Sequence, residues 1–121
     1  MFEIRVIEGF AAAHFIRNYH GKCEKLHGHN YTVTVYAQGS QLDIGGMLID
    51  FGIVKKALRK VLKTLDHGLI NDIPFFAEKD PSAEYISLYI YQELKKDIPD
   101  APISRVDVAE TEKNIASYIP E

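Results

Sequence analysis

His27-Gly28-His29 is the densest chemical signal in this 121-residue chain. On a β-strand, residues i and i+2 point to the same face, so two imidazoles converge on one point at a spacing that suits a metal ion. A chance His-x-His at the start of a strand has the same spacing, and the pattern alone does not separate the two readings. His14 shifts the balance, because it ends the apolar run Phe10-Ala11-Ala12-Ala13. If the strand that ends at His14 pairs antiparallel with the strand that begins near His27, the third imidazole joins the other two. Three imidazoles with an open fourth position are the ligand set of a catalytic rather than a structural zinc site. His20 lies in a polar, Gly-flanked stretch that fits no such geometry and is read as solvent-exposed.

Three further positions carry chemistry-bearing side chains. Cys23 precedes His27 by four residues, and a thiol beside a bound dication has a depressed pKa that makes it a usable base or nucleophile. Its alternative, a small buried apolar residue, fits poorly with the neighbours Lys22, Glu24 and Lys25. Asp66-His67 follows an apolar-periodic segment; a carboxylate can hold a histidine in one tautomer for proton transfer, or the pair can simply be a helix-ending turn. Glu110 shares strand parity with Val106 and Val108, so its carboxylate faces the side of the buried valines and needs a partner or a ligand there. A heterocycle edge with two adjacent N–H donors would satisfy it.

The elements that must position these residues follow from periodicity. Phe2, Ile4, Val6 and Phe10 share one parity, which predicts a half-buried strand running into His14; residues 16–28 read as a loop. Asn30 to Gln38 alternates Tyr31, Val33, Val35 and Ala37 against polar partners, a second strand. Gly39 and Gly45-Gly46 mark a turn, and Asp50 is placed as the N-cap of a helix whose apolar face is Ile53, Val54, Ala57, Leu58, Val61, Leu62 and Leu65. Lys55, Lys56, Arg59, Lys60 and Lys63 form its solvated face, with cations toward the C-terminus where the helix dipole favours them. Residues 72–81 read as loop, and Pro81 sits where a helix start tolerates it, opening a second helix from Ala83 to about Asp97. Arg105 to Glu112 and Ile115 to Ile119 complete a β-β-α-α-β-β order. Two helices inserted between two strand pairs favour an antiparallel α+β domain over βαβ units.

Composition narrows the function classes. Hydrophobic residues make up 46% and charged residues 26%, an ordinary globular balance, and the length suits one domain over residues 1–121. The net charge is −3 and no Lys/Arg block exceeds two in a row, so a phosphate-neutralising nucleic-acid partner is not expected. No apolar run approaches the ~20 residues of a membrane span, so no membrane partner is expected either. Met1-Phe2-Glu3-Ile4-Arg5 has no basic-then-apolar leader pattern. A single cysteine excludes an internal disulfide and fits a reduced, cytoplasmic compartment.

Taken in order, Phe10-Ala11-Ala12-Ala13-His14, Cys23-Glu24-Lys25-Leu26-His27-Gly28-His29-Asn30-Tyr31, Gly46-Met47-Leu48-Ile49-Asp50-Phe51, Leu65-Asp66-His67 with Asn71, Asp80-Pro81-Ser82-Ala83-Glu84 and Val108-Ala109-Glu110-Thr111 resemble the 6-pyruvoyltetrahydropterin synthase / 6-carboxytetrahydropterin synthase family. The pieces run in family order over almost the whole chain. The resemblance implies the tunnelling fold, in which three subunits join their sheets into a barrel and two rings stack as a homohexamer. It implies zinc held by His14, His27 and His29, Cys23 as proton acceptor, and Asp66 with His67 as a relay. Glu110 would anchor the pterin ring. It also implies sites assembled between subunits, so that Asp66 and His67 serve a neighbour's Cys23. Ser82 where the family often has Thr, and Ile70 where it often has Leu, are mild departures.

The product branch turns on one segment. Cys-x-x-x-His-Gly-His over Cys23–His29 is similar to the 6-carboxytetrahydropterin synthases of 7-deazaguanine (queuosine or archaeosine) biosynthesis. Glu24-Lys25-Leu26-His27-Gly28-His29 also fits the Glu-x-x-His-Gly-His of the 6-hydroxymethyldihydropterin-forming branch, with Glu24 as an alternative base. The expected activity is therefore a zinc-dependent lyase acting on 7,8-dihydroneopterin triphosphate, with the carboxy product favoured and the hydroxymethyl or pyruvoyl product as the alternative. Two competitors of another class are a non-catalytic zinc- or pterin-binding relative and a generic zinc hydrolase. The first would be expected to lack a ligand, base, relay or anchor; the second leaves Cys23 and Glu110 unexplained.

Overall fold

Alternating apolar residues bring the first two strands together over their full length. In the computed structural model, which describes residues 1–17 and 25–121, β1 (Phe2–His14) and β2 (His27–Gly39) pair antiparallel from Phe2 opposite Gly39 to His14 opposite His27. Tyr31, Val33, Val35 and Ala37 of β2 are buried, as their parity predicts, and meet Val6, Phe10 and Ala12 of β1 in the same core. β3 (Ile103–Ala109) pairs with β2, and β4 (Ile115–Tyr118) pairs with β3, giving an antiparallel sheet of order β1-β2-β3-β4. β1 and β4 are its two edges.

Both helices lie between β2 and β3 in the chain. The carboxylate of Asp50 accepts the Gly52 N–H at 2.8 Å and starts α1 (Phe51–Lys63), while the Ser82 hydroxyl accepts the Tyr85 N–H and starts α2 (Ala83–Asp97). Val54, Ala57, Leu58, Val61 and Leu62 of α1 and Ile86, Tyr89, Ile90 and Leu94 of α2 close over the apolar sheet face. Among the described residues, no helix is long and apolar enough to cross a membrane.

Three boundaries differ from the sequence expectation. β2 begins at His27, so both histidines of the His-x-His pair sit on regular strand. The 72–81 stretch is tightened by two 3₁₀ turns, Ile70–Asp72 and Pro74–Phe76, which bury Phe76. β3 stops at Ala109, short of Glu112, because the Glu110 N–H bonds the Asn114 carbonyl and Thr111 Oγ1 accepts the N–H groups of Lys113 and Asn114, turning the chain into β4.

The helix-free face is held by a polar network. Buried Asp107 accepts hydrogen bonds from Tyr36 Oη at 2.8 Å, from Arg105 Nε at 2.7 Å and Nη2 at 2.8 Å, and from the Ser117 hydroxyl. Burial works to raise the Asp107 pKa, but the Arg105, Ser117 and Tyr36 hydrogen bonds outweigh it and hold the carboxyl below its ordinary range.

Candidate functional site

The β1–β2 register sets His14 opposite His27, and β2 alternation puts His29 on the same face two residues on. One nitrogen from each ring forms a group whose members all lie within 4.8 Å of one another, with His14 buried and the other two half-buried. The outer nitrogens are already committed. His14 Nδ1 lies 2.8 Å from the Pro81 carbonyl oxygen and His27 Nδ1 lies 2.7 Å from that of Lys25. Carbonyls only accept, so both Nδ1 atoms carry hydrogen, and in neutral rings both Nε2 atoms present lone pairs. Those two Nε2 atoms face each other at 3.1 Å. Two acceptors at that distance repel unless a cation or an added proton lies between them. The arrangement, neutral imidazoles with Nε2 turned inward and Nδ1–H donated to outer carbonyls, is the donor set of a histidine-bound dication. The residues present fit Zn²⁺.

Beyond the histidines the site opens into a cavity of about 540 Å³ that His14, Ser82, Glu84, Glu110, Lys113 and Asn114 help to line, a size suited to a small-molecule ligand. Glu110, one residue past β3, keeps the parity expected of it but is half-buried at the sheet end rather than in the core. Its Oε2 lies 3.9 Å from His29 Nε2. A carboxylate so placed can accept two parallel N–H bonds from a ring seated beside the histidines.

Asp66 and His67 form a tight pair on the other side of β1. His67 Nδ1 lies 2.8 Å from Asp66 Oδ2, Asp66 Oδ1 accepts the Ala11 N–H at 2.9 Å, and the His67 N–H donates to the Ala11 carbonyl at 2.6 Å. These groups occupy the edge of β1 that faces away from β2, so the structure does not bring the pair into the histidine cluster of the same chain. The Asp66 carboxyl is held below its ordinary pKa, first by the Ala11 N–H and then by His67. His67 takes a left-handed backbone with φ 57° and leaves 82% of its side-chain surface exposed. A non-glycine residue in that region is uncommon and occurs where the surroundings impose it. Cys23, Glu24 and His20 lie outside the described residues.

Asn71 and Pro81 both stand in the segments that carry the family resemblance, but sequence reasoning missed the contacts that their amide and carbonyl make at the site. The Pro81 carbonyl that orients His14 and the Asn71 side chain beside Phe15 have no charge or periodicity to announce them. The Asp80-Pro81-Ser82 turn ahead of α2 was the available signal for the first.

Comparison with known proteins agrees with this geometry. The 6-pyruvoyl tetrahydropterin synthase family model matches residues 3–121. The chain is 35% identical over 102 residues to human 6-pyruvoyl tetrahydrobiopterin synthase, covering 81% of this chain and 70% of the human one. It is also 35% identical over 99 residues to 6-carboxy-5,6,7,8-tetrahydropterin synthase of Bacillus subtilis, covering 78% of this chain and 66% of that one. It thus spans about two thirds of the length of each relative. The structure of Caenorhabditis elegans 6-pyruvoyl tetrahydropterin synthase superimposes with a TM-score of 0.88 at 29% identity, covering 99% of this chain and 96% of that one. The four-stranded sheet with two inserted helices is the tunnelling fold, and the chain belongs to the 6-pyruvoyl tetrahydropterin synthase family.

Proposed function

We propose that this protein is a zinc-dependent lyase that converts 7,8-dihydroneopterin triphosphate and one water to 6-carboxy-5,6,7,8-tetrahydropterin, releasing acetaldehyde and triphosphate, in 7-deazaguanine biosynthesis. The observation that carries the reading is the convergence of His14, His27 and His29, with the Glu110 carboxylate beside His29 and a cavity that His14 and Glu110 both line. His14, His27 and His29 would hold Zn²⁺, which would supply Lewis-acid polarisation of the substrate's side-chain oxygens and so acidify the adjacent C–H. Glu110 accepts the 2-amino and ring N–H donors of the pterin and fixes its orientation. Cys23, as thiolate, takes the side-chain proton. His67, kept in its Nδ1–H form by Asp66, exchanges a proton at Nε2 on the opposite side of the substrate.

The position of Asp66 and His67 on the outer edge of β1 favours a relay offered to a neighbouring subunit. The outer edges of β4 and of β1 before Ala11 have no strand partner among the described residues, and pairing with other subunits would satisfy them. A homohexamer of two stacked trimers, with sites between subunits, satisfies both. Light scattering that finds a stable monomer at micromolar concentration overturns this assembly.

The carboxy product rests on the Cys23-to-His27 spacing; the hydroxymethyl product is the second reading, because Glu24 stands three residues before His27. Equal identity to a pyruvoyl-forming and a carboxy-forming relative does not choose between branches. The test is turnover of 7,8-dihydroneopterin triphosphate by the zinc-loaded protein, read by mass spectrometry. 6-Carboxytetrahydropterin as main product supports the proposal. A hydroxymethyl or pyruvoyl product moves the protein to another branch, and no turnover favours a non-catalytic binder.

A further inference from the structure

The outer edge of β1 carries a second ladder that continues past the end of the strand. Ala11 is held by Asp66 Oδ1 and the His67 N–H, and the Ala13 N–H donates to the Gly68 carbonyl at 3.0 Å. Two residues further, Phe15 has left β1 and faces no strand, yet both its backbone groups are satisfied by one side chain. The Phe15 N–H donates to Asn71 Oδ1 at 3.0 Å, and Asn71 Nδ2 donates to the Phe15 carbonyl at 3.0 Å. The Asn71 amide therefore stands in for a strand residue, and it does so while buried. Alternate residues 11, 13 and 15 are pinned by the segment 66–71, and His14 lies between the last two. Its ring is fixed by the Pro81 carbonyl and its backbone by the clasps on either side.

From this we infer that Asn71 is a positioning residue for the metal ligand His14, a role that rests on the zinc reading of the three histidines. Without the amide, Phe15 loses both partners, and the chain after Ala13 is held only by the pairing of His14 with His27, the Pro81 carbonyl and the bonds of Arg17 to Asp80 and Phe76. His14 Nε2 is then held less firmly at its position 3.1 Å from His27 Nε2. A purely structural Asn71 would lower stability and leave the affinity of the folded site alone. The same ladder holds Asp66 and His67, so one segment sets both the relay pair and the zinc ligand against β1.

The test is Zn²⁺ affinity of the full-length apoprotein, measured by competition with a chromophoric chelator at a temperature where circular dichroism shows every variant folded. Asn71→Ala is expected to weaken Zn²⁺ binding by about tenfold or more, within the range found when outer partners of metal ligands are removed. Val61→Ala, which opens the core of α1 away from the site, is the control for general destabilisation and is expected to bind Zn²⁺ as the wild type does. Should Asn71→Ala not hold its fold, Asn71→Asp keeps the acceptor for the Phe15 N–H and removes the donor to its carbonyl, and a fivefold loss or more is expected. Affinity within twofold of wild type in the folded Asn71 variant, or an equal loss in Val61→Ala, overturns the inference while leaving the zinc site standing. A wild-type protein that takes up no Zn²⁺ overturns the zinc reading and the inference together.

Discussion

Removing the metal should cost this fold a measurable part of its stability, because apposed lone pairs on His14 and His27 are left facing each other across 3.1 Å at the joint between β1 and β2. A ligand that binds only the folded state stabilises it by about 4 kcal/mol when its free concentration is a thousand times Kd. At an unfolding entropy of about 2.1 cal/mol/K per residue, a 121-residue chain converts that into a Tm shift of roughly 15 °C. The assay is differential scanning fluorimetry or calorimetry of one preparation, zinc-loaded and then stripped with a chelator, at pH 7.5. His27→Ala should start near the stripped wild type and respond little to added Zn²⁺. A wild-type Tm that moves by less than about 2 °C on stripping, with zinc loss verified by elemental analysis, refutes the reasoning that the three rings form one site.

The remaining predictions concern chemistry and packing. Cys23→Ala should keep the fold and zinc and lose 6-carboxytetrahydropterin formation by ~10² to 10⁴, the span for removing a positioned acid–base group; if the product is undiminished while Glu24→Ala abolishes turnover, both base and branch are wrong. Asp107 has a depressed pKa in the folded state, so its contribution is present at neutral pH and is lost as pH falls through and below the ordinary aspartate value of about 3.9. Asp107→Asn should cost about 1–3 kcal/mol at pH 7, seen in urea titrations, and the difference from wild type should shrink toward pH 3; a constant difference across that range contradicts the network's charge dependence. Ser104 Oγ is buried without a hydrogen-bond partner among the described residues. Ser104→Ala should therefore be neutral or stabilising by up to about 1 kcal/mol, and a loss larger than that in the same titration would reveal a partner.

Much of the fold was legible because it is written in periods. The alternation of Tyr31, Val33, Val35 and Ala37 defines the buried face of β2, and the helical spacing of Val54, Ala57, Leu58, Val61 and Leu62 defines that of α1. The histidine cluster was legible because strand alternation and antiparallel pairing are both short-range rules with one geometric outcome. Glu110 was read on the correct side of the sheet but as part of β3, since parity says which way a residue points and not where pairing ends; the Thr111 turn decides that. What the sequence did not disclose is long-range and carried by uncharged groups. The Pro81 carbonyl meets His14 across 67 residues and the Asn71 amide meets Phe15 across 56. Neither a carbonyl nor an amide alters hydropathy enough to mark its position. The left-handed backbone at His67 is similar: the edge of β1 imposes it through Ala11, and a local reading of Leu65-Asp66-His67 shows only a turn.

The most direct test of the account is a crystal structure of the zinc-loaded protein with a bound pterin, with anomalous scattering collected at the zinc edge. One peak per chain is expected at about 2.0–2.1 Å from a ring nitrogen of each of His14, His27 and His29. The pterin ring is expected to meet the Glu110 carboxylate with its 2-amino and adjacent N–H groups. A zinc peak that lacks any of the three histidines, or a pterin seated away from Glu110, would contradict it.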